Sequence, residues 1–416
     1  MKTILKFGGA SIQDADRMRN VLNIIKQYAD KKPIVVVSAL GKTTNALEAI
    51  LNAWFKHDTT WPNLLDSLKA AHLSICKDLA LQTTNAVEYI FDSLQEYLEN
   101  TLPELHAYDQ YYDHIVAHGE LASTKLLVSY FNERGLACEW VDARGIIHTD
   151  DHFRDVNIDW EATELAAKAK FGGDEIFITQ GFIGATANGH TTTLGREGSD
   201  YSASILSYCV DAEHMIIWKD VAGVMNADPK LVSDAIVLPH ISYREAVEMT
   251  YFGAKVIHPK TIKPLQNKKI PLLVKCFLNP SLPGTIISEQ EPRESYPPII
   301  VWKENQVLLS IQDKDFSFIA EKHLTSIFNL FNNHRIHIHL MQNSAISFSV
   351  CTDANSRIND LIHDLQLQFN VVRNEGMRLL TIRHYTEDSI QKYLAGDEIL
   401  VEQRSRTTVQ LVTRKK

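Results

Sequence analysis

The sequence predicts an α/β fold, a mostly parallel sheet with helices on both faces, followed by smaller α+β units. Three observations carry this. Residues 34–37 are Ile-Val-Val-Val, a β-branched run of the kind found in strands buried on both faces of a parallel sheet. Strand-like and helix-like stretches alternate as far as about residue 290, as they do where helices cover a parallel sheet. Past the polar, proline-bearing stretch Glu289-Gln290-Glu291-Pro292-Arg293-Glu294 the rhythm changes to strand, helix, strand, strand, helix and then repeats in shortened form. That rhythm suggests two small, related units.

Composition narrows the class. A chain of 416 residues can build two or three cores. Its 45% apolar and 22% charged residues are those of a soluble globular protein. A net charge of −9 argues against a broad basic surface for nucleic acid. Cys76, Cys138, Cys209, Cys276 and Cys351 are far apart, and no CxxC pair exists. They read as buried, reduced thiols of a cytoplasmic protein, not as a zinc site or a disulfide framework. The N-terminus lacks a signal-like apolar segment, and no run of about twenty apolar residues suggests a membrane span.

Taken in order, the chain opens with a short strand, Lys2 to Phe7, that runs into Gly8, Gly9, Ala10 and Ser11. A helix is expected from about Asp14 to Tyr28, with Met18, Val21, Leu22, Ile24 and Ile25 in or near one stripe. Strand, glycine turn and helix together form a layout that favours anions, because turn amides can approach a phosphate closely. The spacing is neither that of a Walker A loop nor of a dinucleotide fingerprint. An ordinary strand-to-helix turn is the competing reading.

The strand around Val35 ends in Ser38 to Asn45, a second loop where ligands of open sheets bind. From Leu47 to about Val116 the pattern is helical, with Leu65, Leu68, Val87, Phe91 and Leu94 among its core positions. His114, His118 and Glu120 stand at helical spacing without an obvious third ligand, so a carboxylate with a polar task is the simpler reading and no protein metal site is expected. Strands follow at Ala137 to Ala143 and at Glu175 to Gly184. Then Arg196, beside Gly195 and Gly198, precedes Ser199, Asp200 and a helix rich in Ala and Ser. Capping would explain Ser199 or Asp200 but not the arginine, which suits a carboxylate or phosphate clamp. His214 to Val221 is a buried strand with a charged end, and a helix starts near Ile241. Lys255 stands among small and apolar residues, as a snorkelling or a phosphate-facing side chain would. A last strand at Ile270 to Phe277 closes the first part. In the second part His337 and His339 alternate, as on a solvated sheet face.

With these pieces in order, the chain resembles the aspartate kinases of the amino-acid kinase family, followed by ACT-type regulatory units. The resemblance rests on KFGGAS at 6–11, VVVSALGKTTN at 35–45, HGE at 118–120 and LGREGSDYSA at 194–203, with WKDVAGV at 218–224, NADP at 226–229 and YFGAKVIHP at 251–259. It implies a three-layer kinase fold over residues 1–290, a linker at 291–300, and a ferredoxin-like ACT region at 301–416 with one full and one shortened unit. No homoserine dehydrogenase portion is expected.

The implied reaction moves the γ-phosphoryl group of ATP to the side-chain carboxylate of L-aspartate, with Mg²⁺ carried mainly by the nucleotide. Lys6, Asp200 and Lys255 would be catalytic. Gly8, Gly9, Ser11, Lys219, Asp220, Met225, Lys230 and Val256 would join Lys6 and Lys255 around ATP. Ser38, Thr44, Glu120, Arg196 and Ser199 would hold aspartate, Arg196 on a carboxylate and Glu120 on the ammonium. A homodimer through the ACT region and an amino-acid effector there are also implied. Three departures stand out: Glu197 where glycine is frequent, Ala222 where proline is usual, and Lys230 where arginine is usual. Gln342 to Ala345 lacks the acidic residue common in feedback-inhibited relatives, which leaves the effector open. A silent amino-acid sensor and a kinase for another small acid are the competing functions.

Overall fold

The computed structural model describes residues 2–254, 257–291, 295–315, 317–394 and 396–415. They form two compact units. The first holds residues 2–224, 237–247 and 257–291, and the second holds 225–236, 248–254 and the described part of 295–415.

The strands of the first unit are β1 (Thr3–Phe7), β2 (Ile34–Val37), β3 (Cys138–Val141), β4 (His148–Thr149), β5 (Ile176–Gln180), β6 (Ile183–Thr186), β7 (Thr191–Thr193), β8 (His214–Lys219), β9 (His240–Ser242), β10 (Leu272–Cys276) and β11 (Thr285–Ser288). Eight of them make one sheet, in the order β3-β5-β2-β1-β8-β10-β11-β9. Every neighbouring pair in it is parallel except β10 with β11. β1 is central, and its five residues are all buried, as a strand covered on both faces requires. β4, β6 and β7 form a small separate sheet.

Helices α1 (Ala15–Gln27), α2 (Thr43–Phe55), α3 (Trp61–Asp78), α4 (Asn85–Asn100), α5 (Tyr108–Glu133), α6 (Trp160–Phe171), α7 (Gly198–Cys209), α8 (Tyr243–Phe252) and α9 (Pro259–Lys268) complete the chain to this point. α1 starts where Asp14 accepts the Arg17 N–H at 2.8 Å, and its apolar stripe is buried. α5 is different, because every residue from Ile115 to Thr124 is buried. A helix enclosed all round can offer polar groups only to partners inside the protein. Three short strands escape the sequence reading. Ile241 and Ser242 end β9 before a helix begins, β7 is only three residues long, and β11 returns antiparallel after Gly284 at φ +75°. None has a β-branched run long enough to stand out from a loop.

The second unit contains β12 (Ile299–Asp313), α10 (Glu321–Asn333), β13 (Ile338–Asn343), β14 (Ser347–Asp353), α11 (Ile358–Gln368), β15 (Phe369–Arg383), α12 (Glu387–Leu394), β16 (Glu398–Arg404) and β17 (Thr408–Arg414). Its six strands form one antiparallel sheet, β13-β14-β12-β15-β17-β16, of ACT type. β12 and β15 pair along their length, Ile299 with Arg383 and Asp313 with Phe369, across irregularities at Lys303, Gln306 and Leu308. The second repeat looks shortened because one of its strands comes first in the chain: Ile299 to Lys303 pair with Leu379 to Arg383. His339 is not solvated as expected. Its imidazole lies 2.9 Å from Lys303 Nζ and 2.8 Å from Asp353. No helix among the described residues is long and apolar enough to cross a membrane.

Candidate active site

Three strand ends meet at the carboxyl edge of the large sheet, where Phe7 stands between Val37 and Trp218 in register. Ligands of open α/β sheets bind beyond such an edge. The exit of β1 makes a 3₁₀ turn over Gly9–Ile12, in which the Ser11 amide donates to the Gly8 carbonyl at 2.9 Å. The exit of β2 is stitched to it. The Ser38 N–H donates to the Phe7 carbonyl at 3.1 Å, and the Gly41 N–H donates to the Gly9 carbonyl at 3.1 Å. Position 9 takes glycine because a Cβ there would stand 2.5 Å from the Ala39 carbonyl oxygen.

These loops enclose a cavity of about 450 Å³. On its wall are the predicted phosphate-side residues Lys6, Gly8, Gly9, Ser11, Lys219 and Asp220. The predicted substrate-side residues Ser38, Thr44, Glu120 and Ser199 line it too, together with Asp200. Lys6 Nζ lies 2.5 Å from Asp200 Oδ1, and Lys219 Nζ lies 3.9 Å from Asp200 Oδ2. Burial pushes the Asp200 carboxyl up, but Lys6 and then Lys219 outweigh it and hold the group below the ordinary carboxylate range. Asp200 therefore stays ionised and can hold the Lys6 ammonium in place.

Asp200 and Ser199 are not helix caps. The position before α7 belongs to Glu197, a non-glycine residue at φ 55°, and no side chain caps that end. Ser199 and Asp200 sit inside the first helical turn, so the positive end of the α7 dipole lies at the cavity wall. Gly181, at the exit of β5, lets this turn come close, since a Cβ there would stand 2.5 Å from Ser199 Cβ. Glu197 itself accepts the His258 N–H at 3.2 Å.

Opposite stands Glu120, 3% exposed, on the enclosed helix α5. Its Oε1 accepts the Ala39 N–H at 3.1 Å, whereas Oε2 has no hydrogen-bond partner among the described residues. Burial pushes its carboxyl up to about 8, against the Ala39 hydrogen bond, which favours the charged form. A buried carboxyl oxygen without a partner is costly alone and suits an incoming cation. The neighbouring Ser123 hydroxyl donates to the Ser38 carbonyl at 2.8 Å and so fixes the loop across the cavity from the same helix. Among the described residues no group of three His, Cys, Asp or Glu side chains could hold a metal ion.

Arg196 shares the Gly195–Gly198 turn but is exposed and is not part of the cavity wall. Met225 and Lys230 belong to the second compact unit. Lys255 and Val256 lie outside the described residues. Phe182, Trp218 and the Ala39 amide were not foreseen, because apolar rings and backbone groups carry no sequence signal for a polar site. Ser123 stands three residues beyond Glu120 on one helix, a spacing that could have suggested it.

The fold and the lysine–carboxylate pair at its glycine turn define a phosphotransferase-like α/β body. The model of the amino acid kinase family matches residues 1–276, and the chain belongs to that family. Its relatives place it among the aspartokinases. It is 31% identical over 399 residues to the lysine-sensitive aspartokinase 3 of Escherichia coli, covering 91% of this chain and 86% of the relative. It is 34% identical over 304 residues to a chloroplastic bifunctional aspartokinase/homoserine dehydrogenase of Zea mays, covering 71% of this chain. The chain spans about a third (33%) of the length of the bifunctional relatives it matches. The structure of E. coli aspartokinase III with aspartate and ADP superposes with a TM-score of 0.80 at 26% identity, covering 99% of this chain and 96% of that one. The same enzyme with lysine and aspartate superposes with a TM-score of 0.82 at 27% identity, covering 99% and 95%.

Proposed function

We propose that this chain transfers the γ-phosphoryl group of ATP to the side-chain carboxylate of L-aspartate, giving 4-phospho-L-aspartate. The observation that carries the reading is one cavity joining two features: the Lys6–Asp200 pair at a glycine turn, and a buried Glu120 oxygen that lacks a partner. Phosphoryl transfer asks a protein mainly for positioning and for cations around the equatorial oxygens. Lys6 supplies such a cation, oriented by Asp200, and Lys219 is a second beside it. Gly8, Gly9 and Ser11 give the phosphates close backbone and hydroxyl contacts. The attacking carboxylate is already ionised at neutral pH, so no general base is required.

On the substrate side, Glu120 takes the ammonium, while Ser38, Thr44, Ser199 and the amino end of α7 receive a carboxylate. Arg196 is assigned to a carboxylate by its place in the turn, and it must swing inward to reach one. The assignments of Met225, Lys230, Lys255 and Val256 to the nucleotide rest on the resemblance alone. Mg²⁺ fits as a cation held mainly by the nucleotide, because the one buried carboxylate beside Lys6 is engaged by two lysines. When bound it would neutralise phosphate charge.

In this reading residues 1–290 are the catalytic domain, 291–300 a linker and 301–416 a regulatory region for an amino-acid effector. The protein acts in the cytoplasm as a homodimer formed through that region. Five free cysteines support a reducing compartment. The test is ADP release that depends on aspartate, with the product trapped by hydroxylamine as the hydroxamate. Turnover with glutamate or another acid in place of aspartate overturns the substrate, and binding without any turnover favours a silent sensor.

A further inference from the structure

Helix α5 carries a second buried carboxylate that the phosphoryl chemistry does not use. Asp113 is fully buried, seven residues before Glu120 and thus two turns, about 10.5 Å, along the same helix face. Its Oδ2 accepts two backbone N–H groups, from Arg154 at 2.9 Å and from Thr193 at 2.9 Å. Its Oδ1 accepts the Thr193 hydroxyl at 2.6 Å. All three donors are neutral, and no cation lies at ion-pair distance among the described residues. Burial pushes the carboxyl up to about 6, against these hydrogen bonds and the more distant charge of Arg154. A buried acid satisfied only by neutral donors is a costly way to join a helix to a strand, since a well-packed apolar contact would serve stability alone.

The donors show what the arrangement holds. Thr193 ends β7, and two residues later Gly195, at φ +73°, opens the turn that carries Arg196, Glu197, Gly198 and Ser199. Gly195 nests on the other donor segment, since a Cβ on it would lie 3.0 Å from the Arg154 carbonyl oxygen and 3.0 Å from Asp155 Oδ1. Asp113 thus ties Thr193, which leads into the turn, and the Arg154 segment on which Gly195 packs to the helix that also presents Glu120 and, through Ser123, fixes Ser38. We propose that Asp113 is a positioning residue for the aspartate site: it sets the distance between Glu120 on α5 and the Gly195–Ser199 turn facing it. This rests on the function proposed above, with Glu120 and that turn taking opposite ends of one amino-acid substrate.

Three variants of the full chain test it in the hydroxamate assay, with KM for aspartate and for ATP measured separately. In Asp113→Asn the amide oxygen can still accept both N–H groups and the amide nitrogen can donate to the Thr193 hydroxyl, so KM for aspartate stays within about 1.5-fold. Asp113→Ala leaves three donors unpaired and raises that KM by about tenfold or more, with KM for ATP within about twofold. Thr193→Val, which removes one donor and keeps the shape, raises it by about threefold. A KM for aspartate unchanged in Asp113→Ala and Thr193→Val overturns the proposal, as does an equal rise in both KM values. If Asp113→Ala does not fold, the contrast of Thr193→Val with Asp113→Asn decides. Failure of the wild-type chain to phosphorylate aspartate sinks the function instead. Amide hydrogen exchange at Arg154 and Thr193 then judges the positioning role: faster in Asp113→Ala with the Asp113→Asn variant protected supports it, and no change overturns it.

Discussion

Lys6 and Glu120 face the same cavity with opposite electrostatic problems. Lys6 is satisfied, at 2.5 Å from Asp200 in a site shielded from water. Its replacement by alanine should cut turnover at least about a hundredfold, since a cation at developing phosphoryl charge is worth a few kcal/mol. It should also lower unfolding stability by roughly 3 kcal/mol in urea titrations, because Asp200 is left buried with only Lys219, 3.9 Å away. Glu120 is unsatisfied, and burial holds its carboxyl up at about 8. The free protein at neutral pH therefore keeps it mostly protonated, and an ammonium ligand must drive out that proton. KM for aspartate should fall as pH rises from about 6.5 to about 8.5, and Glu120→Gln should raise KM and flatten that slope. The same shift sets a stability trend. Between the ordinary glutamate range and about 8 the folded state binds more protons than the unfolded chain. Stability from this group is full below that window and is lost as pH rises through about 8, so melting temperature should fall there, less so with saturating aspartate.

At the scale of elements, close backbone approach shapes the site more than any side chain. Gly181 lets β5 meet the first turn of α7, and Gly9 lets the β1 turn meet the Ala39 carbonyl. Gly181→Ala places a methyl 2.5 Å from Ser199 Cβ and 2.8 Å from its Cα, both on a helix end that cannot simply rotate away. The expected result is a loss of about 1–3 kcal/mol of stability together with a raised KM for aspartate, read from urea curves and steady-state kinetics. Periodicity made the long elements legible. The stripe of α1 and the apolar run of β2 are buried as the pattern requires. The three-residue β7 and β9 were not legible, because so few residues give no period to read. Ser199 and Asp200 looked like caps for a related reason. Local capping preference is the same whether the residue ends at the helix start or one turn inside it, and here Glu197 takes the start at φ 55°.

For the whole molecule, the proposed regulation falls on the second unit. Its repeats share one sheet through the 15-residue strands β12 and β15. The segment Gln342 to Ala345 contains no carboxylate for the ammonium of a lysine side chain. Lysine at millimolar concentration should therefore change activity by less than about twofold, with threonine titrated alone and alongside it to find a neutral effector. Sedimentation velocity should return a dimer, and a monomer at micromolar concentration would remove the proposed assembly. By itself the sequence determined the α/β class, the order of the longer strands and helices, and the presence of Lys6, Glu120 and Asp200 in motifs far apart, because periodicity and motif order are properties of a linear chain. Only the tertiary structure decided that Asp200 reaches Lys6 from inside a helix, that Glu120 keeps an unpartnered oxygen, and that Asp113 ties α5 to β7. Each of those depends on burial and on which groups meet across sequence separations of 80 residues or more. Desolvation and close packing set both, and neither is written in any local stretch of the chain.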